Sequence, residues 1–201
     1  MAETDYEYGR IARLAEALAE ARIARDVSER ILEGGESIKR DTKPEAKAAW
    51  MGEAMRRMDE LLDEETRHAA REACACCLGG ERGKLSKAIG KRGGSLEERI
   101  AAADETKLVF GHSVTLQDDG TVRVAFAPEG QERYGCPCLP KAKQPLPITY
   151  CYCCGGHVKH HLKAALGRKL SVEVLSSALS SGGRAPCVFD FAIVAGEGAG
   201  A

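Results

Sequence analysis

The sequence predicts an α+β fold, with a helical N-terminal half followed by a small antiparallel sheet that carries an inserted helix. Three observations predict it. Apolar residues recur every three to four positions through the first hundred residues, the spacing of one helical face. After Thr106 the period falls to two, and Asp118-Asp119-Gly120 separates two alternating runs as a hairpin turn. Helices come first and strands later, without the regular alternation that marks a parallel α/β sheet.

Taken in order, Ile11, Leu14, Leu18, Val27 and Ile31 form one helical stripe that Gly34-Gly35 closes. Asp41-Thr42-Lys43-Pro44 supplies a cap and an early-turn proline for a longer helix. Its stripe is Ala46, Trp50, Met51, Ala54, Met58, Leu61 and Leu62; it weakens after Glu65 and ends at Gly79-Gly80. A short helix is expected over Lys84 to Ile89. Another follows Ser95, where Ser95 and Glu98 fit a capping box. These stripes are ordinary core. Strands are expected over Ser113–Gln117 and Thr121–Phe126, then a loop with four of the seven prolines between Pro137 and Pro147. A helix is expected from about Gly156 to Leu166, then strands over Leu170–Leu175 and Cys187–Val194. Residues 1–105 thus form a helical region and 106–195 an α+β, cysteine-rich region co-folded with it, with 196–201 a flexible tail.

Composition narrows the chemistry. Lys+Arg is 29 and Asp+Glu is 30, a net charge of −1, so nothing in the balance calls for nucleic acid. No apolar run has the length of a membrane span, and the start lacks the pattern of a signal peptide. The expected compartment is the cytoplasm, where thiols stay reduced. That matters because eight of the nine cysteines fall in three bursts, Cys74-Ala-Cys76-Cys77, Cys136-Pro-Cys138 and Cys151-Tyr-Cys153-Cys154. Neighbouring cysteines rarely bridge one another. Several thiols gathered by a fold are what a soft metal or an iron–sulfur cluster needs.

The third burst runs into His157, His160 and His161. Residues three, four and seven apart share a helical face, so Cys154, His157 and His161 would line one stripe. The candidate metal ligands are therefore Cys74, Cys76, Cys77, Cys136, Cys138, Cys151, Cys153, Cys154 and His157. Four thiolates suit zinc, the first choice, or a [4Fe–4S] cluster as the alternative. Cys187, at the start of an apparent core strand, is expected to be buried. His112, in Phe110-Gly-His112-Ser113, and His160 are the candidates for proton transfer.

Other motifs fail. Gly79-Gly-Glu-Arg-Gly83-Lys84-Leu-Ser86 has the wrong spacing for a phosphate loop and follows a helix rather than a strand. Lys84, Lys87, Lys91 and Arg92 read as a solvated face. The serines near Gly182-Gly183 lack the elbow of a serine hydrolase.

From Cys151 to Ile193 the chain resembles the end of the 4-vinyl-reductase domain family. The resemblance rests on Gly156-His-Val-Lys-His-His-Leu-Lys-Ala-Ala-Leu-Gly167, Leu170-Ser-Val-Glu-Val174 and Cys187-Val-Phe-Asp-Phe-Ala-Ile193. It implies an α+β fold that binds small molecules, some members as sensors and some in tetrapyrrole metabolism, some with metal-holding cysteines. Cys187 matches the family's second loop cysteine, whereas serine stands near 176 and 177 in place of the first. Taken whole, the chain is similar to an uncharacterised cysteine-rich family of anaerobes with the same Cys-x-Cys-Cys-Leu-Gly-Gly, Cys-x-Cys-Leu-Pro and Tyr-Cys-Tyr-Cys-Cys-Gly-Gly-His signatures. A fainter likeness is to 2-amino-thiazoline-4-carboxylate hydrolases.

Two functions follow as expectations. One is a cytoplasmic metal-binding protein whose cysteine bursts form a thiolate site coupled to small-molecule binding or sensing. The other is a metalloenzyme, a zinc hydrolase or iron–sulfur enzyme, acting on a small sulfur- or nitrogen-containing substrate. The expected partner is a small-molecule ligand or substrate, with no nucleic acid or membrane partner and with homodimer formation left open.

Overall fold

The structure, a computed structural model, describes residues 5–194; the expected flexible tail at 196–201 lies outside them. Eight helices among the described residues run in the order α1 (Gly9–Glu20), α2 (Arg25–Leu32), α3 (Pro44–Leu61), α4 (Glu64–Ala73), α5 (Gly80–Arg92), α6 (Leu96–Glu105), α7 (Lys107–Phe110) and α8 (Tyr152–Leu166). The strands are β1 (Ser113–Leu116), β2 (Val122–Phe126), β3 (Leu170–Ser176) and β4 (Cys187–Ile193). The fold is α+β, with α8 inserted between the two halves of the sheet. No helix is long and apolar enough to cross a membrane among the described residues.

The four strands form one antiparallel sheet in the order β1-β2-β4-β3. Val122 faces Phe191 and Val124 faces Phe189 across the central pair, and all four side chains are buried. Between them Arg123 opposes Asp190, and the guanidinium makes two parallel 2.7 Å hydrogen bonds to the carboxylate. Alternation along β2 and β4 therefore puts apolar residues in the core and this ion pair on the other face. One continuous core cluster runs from Ile11 and Leu14 in α1 through Met51, Met55 and Met58 in α3 to Leu162 and Phe191.

Several boundaries differ from the sequence-based expectation, each for a local reason. The first helical stripe is two helices. Arg22 takes φ 56°, and Arg22 and Ile23 donate backward to Ala19 and Leu18, a Schellman closure without its usual glycine. The long helix also breaks, at Asp63, whose carboxylate accepts from the Thr66 amide at 2.8 Å as the cap of α4. Gly79 and Gly80 start α5 rather than end a helix, and α5 extends through Gly90 to Arg92. A methyl at Gly90 would lie 2.4 Å from the Ala164 carbonyl oxygen, so glycine there lets α5 lie against α8. Gly155 and Gly156 likewise sit inside α8, which starts at Tyr152 rather than near Gly156. At Gly156 an added methyl would meet the Glu72 carbonyl oxygen at 2.5 Å. Gly156 is where α4 and α8 touch backbone to backbone, whereas Gly155 packs against Val172 and Phe189 of the sheet. The short α7 has no counterpart in the sequence-based expectation. Ser95 and Glu98 form the expected capping box.

Candidate functional site

All nine cysteines are free thiols, and three turns deliver the bursts. The first burst follows α4. Cys74 caps the helix, its thiol donating to Ala70 at 3.3 Å. Cys77 adopts φ 60°, a conformation that costs a side-chain-bearing residue roughly 1–2 kcal/mol. Two imidazoles on α8 hold this turn. A carbonyl only accepts, so the imidazole nitrogen facing it carries the proton. His157 donates through Nδ1 to the Cys76 carbonyl at 2.7 Å, and His161 donates through Nε2 to the Cys77 carbonyl at 3.2 Å. His161 Nδ1 then accepts from the Ser86 hydroxyl at 2.9 Å. Burial lowers the pKa of both rings, that of His161 to about 4. His157 keeps Nε2 unprotonated and able to ligate.

The second burst lies in the loop after β2. Tyr134 donates to the Gly183 carbonyl at 3.0 Å, and the Arg10 guanidinium of α1 donates to the Cys138 carbonyl. The third burst opens α8. Cys151 precedes it, buried, with Ser177 as hydrogen-bond partner. Cys153 and Cys154 occupy its first turn, which continues directly from a 3-10 turn over Ile148–Cys151.

These turns bring thiols of the second and third bursts near enough to shift one another's ionisation: Cys136 with Cys138, Cys138 with Cys154, and Cys154 with Cys153. The neighbouring Cys136 and Cys154 thiols hold the Cys138 thiol well below the usual range, with Arg10 and His157 assisting. Cys153 is drawn down to about 7, first by Cys154 and then by Arg71, against its own burial. Cys136 and Cys154 move the other way, because they supply the protons. Among the described residues, no group of three or more His, Cys, Asp or Glu side chains is arranged to hold a metal ion at a single point.

The thiols border a cavity instead. About 50 Å³ in volume, it is lined by Cys74 and Cys76 from the first burst, Cys138 from the second and Cys153 from the third. Arg10, Arg13 and Arg71 line it with them. Arg71 is 3% exposed. Its Nη2 donates to the Tyr150 carbonyl at 3.1 Å, its plane lies 5.0 Å from the Tyr150 ring centre, and its Nε has no acceptor. Leaving such a donor unmet costs about 1–3 kcal/mol. Arg10 donates to the Tyr150 hydroxyl at 3.1 Å. Among the described residues no carboxylate forms an ion pair with Arg10 or Arg71. The nearby groups able to carry negative charge are Tyr8, Tyr150 and the thiols, and burial keeps the Tyr150 phenol protonated. A buried cation is tolerated when it is paired, and thiolates are the groups placed to pair with these two.

Residues 13–193 match the model of a family of unknown function, DUF6144. The chain belongs to DUF6144. The matched DUF6144 span contains all nine cysteines, the three histidines of α8 and Arg71, while Arg10 lies just ahead of it. No curated protein and no solved structure matches this DUF6144 chain.

Within the DUF6144 chain the remaining expected residues fall away from the cavity. His112 is exposed at the start of the sheet, its amide donating to Ala125 and its carbonyl accepting from Lys107. His160 is exposed on α8, edge-on to His161. Cys187 is half-buried at the start of β4 and accepts from the Ala178 amide at 3.3 Å. Arg10, Arg71 and Tyr150 were missed from sequence. Arg71 left a trace, since it stands three residues before Cys74, on the face α4 buries, where a charge is out of place. Arg10 left none.

Proposed function

We propose that this DUF6144 chain is a cytoplasmic metal-binding protein. Thiolates from its three cysteine bursts would form one centre, coupled to binding or sensing of a small molecule. The observation that carries the proposal is the shared cavity, lined by Cys74, Cys76, Cys138 and Cys153 together with the carboxylate-free Arg10 and Arg71. A zinc ion on four thiolates and an oxidised [4Fe–4S] cluster on four thiolates each carry two net negative charges, the complement of two guanidiniums. His157 offers Nε2 as a substitute ligand.

Zinc is the simpler occupant and needs its sulfurs drawn to about 2.3 Å from one point. The spread of sulfurs around a cavity, and their number, favours the cluster as the second reading. An enzyme acting on a small sulfur- or nitrogen-containing substrate would use the same cavity and requires an open coordination position.

The test is metal and acid-labile sulfide content, with an absorption spectrum, on protein purified without oxygen. Cys138→Ser and Cys153→Ser should each lower metal content at least fivefold, while Cys187→Ser should leave it unchanged. Protein that carries no metal, and takes none up from zinc or from iron with sulfide, ends the proposal.

A further inference from the structure

The arginines of the same cavity have donors to spare. Arg13 stands exposed at its mouth and makes one long contact, 3.5 Å to the Ala75 carbonyl. The Nε–H of Arg71 is buried without an acceptor. Arg10, Arg13 and Arg71 put three guanidiniums on one cavity, and among the described residues no carboxylate forms an ion pair with any of them. A volume of about 50 Å³ holds a few waters or one small ion. Water would satisfy the donor but leave the charge.

We propose that the cavity binds a small monoanion of about four heavy atoms, such as a carboxylate, gripped by Arg71 and Arg10 and steered in by Arg13. This names the class of small molecule in the function proposed above. The coupling to a thiolate centre rests on that function, and the anion site itself rests on the arginines. Guanidinium suits the role because its planar fork matches a planar oxyanion, which a lysine ammonium cannot reproduce. Binding would satisfy Arg71 Nε and place the anion's far end against Cys76 and Cys153.

The test is thermal stabilisation of the full chain by acetate against acetamide, its neutral isostere, at matched ionic strength, with the metal content of every sample measured. Acetate should stabilise saturably and acetamide should not. Arg13→Gln should weaken acetate about threefold. Arg71→Lys, which keeps the charge and loses the fork, should weaken it at least tenfold. If Arg71→Lys does not fold, Arg10→Gln is judged by the same criterion. Equal effects of acetate and acetamide, stabilisation without saturation, or undiminished binding by the folded variant would overturn the proposal. Protein that neither carries nor takes up metal but still binds acetate through these arginines refutes the metal centre and upholds the anion pocket. Metal-loaded protein indifferent to acetate does the reverse.

Discussion

The guanidinium of Arg71 lies over the ring of Tyr150 at 5.0 Å and also donates to the carbonyl of that residue at 3.1 Å. The two contacts tie the last turn of α4 to the segment that leads into α8, with a full positive charge at the joint. Replacing Arg71 by methionine keeps much of the volume and removes the charge. In chelated, reduced protein Arg71→Met should cost about 1–3 kcal/mol, because the Tyr150 carbonyl loses its donor, as read from the urea midpoint. In protein as purified, metal retention should fall at least tenfold. Full retention would show that the charge is not there to balance thiolates.

His161 gives the fold a pH dependence of known sign. Its native pKa is depressed to about 4 by burial, against about 6.5 unfolded. Between those values the unfolded chain binds a proton that the native one refuses, so stability is full above pH 6.5 and is lost as pH falls toward 4. The total is on the order of 3 kcal/mol. Urea titrations at pH 7.5 and pH 5 should show the loss in wild type, and His161→Gln should flatten it.

Gly156→Ala isolates the contact between α4 and α8. Alanine favours a helix by about 1 kcal/mol over glycine, but its methyl would lie 2.5 Å from the Glu72 carbonyl oxygen. Overpacking costs about 1–3 kcal/mol, so a net destabilisation is expected. A rise in melting temperature would mean that the helices part without cost.

The thiols should differ widely in reactivity. Cys77 is exposed. Cys151 is 4% exposed, and burial pushes its pKa up to about 12. Because the thiolate is the nucleophile, iodoacetamide at pH 7.5 should label Cys77 at least a hundredfold faster than Cys151, as read by peptide mass spectrometry. Comparable rates would refute the burial of the third burst's first thiol.

The class of the fold was legible because the two halves differ in period, and the hairpin was legible because Asp118-Asp119-Gly120 has the chemistry of its turn. Helix boundaries were hidden where the structure departs from common punctuation. Arg22 performs a glycine's task at the end of α1, and Gly156 sits mid-helix for closeness to Glu72 rather than for flexibility. At the site, the cysteine bursts announced themselves by spacing alone. Their basic partners did not, because Arg10 meets Cys138 and Tyr150 only through tertiary packing. The histidines of α8 were visible as a stripe, but not their task of fastening the Cys76–Cys77 turn by its carbonyls.

The contact between Arg10 and Cys138 spans 128 residues of chain, and that between Arg10 and Tyr150 spans 140. Arg10 therefore leaves the ribosome long before either partner exists. A ribosome making about 5–20 residues per second needs several seconds more to reach Cys153. Until then α1 and α4 hold an incomplete wall, and thiols of the first burst wait without the rest of the cavity. Any occupant must arrive after translation has passed α8, so a stalled chain truncated in the proline-rich loop would display cysteines that nothing has yet enclosed.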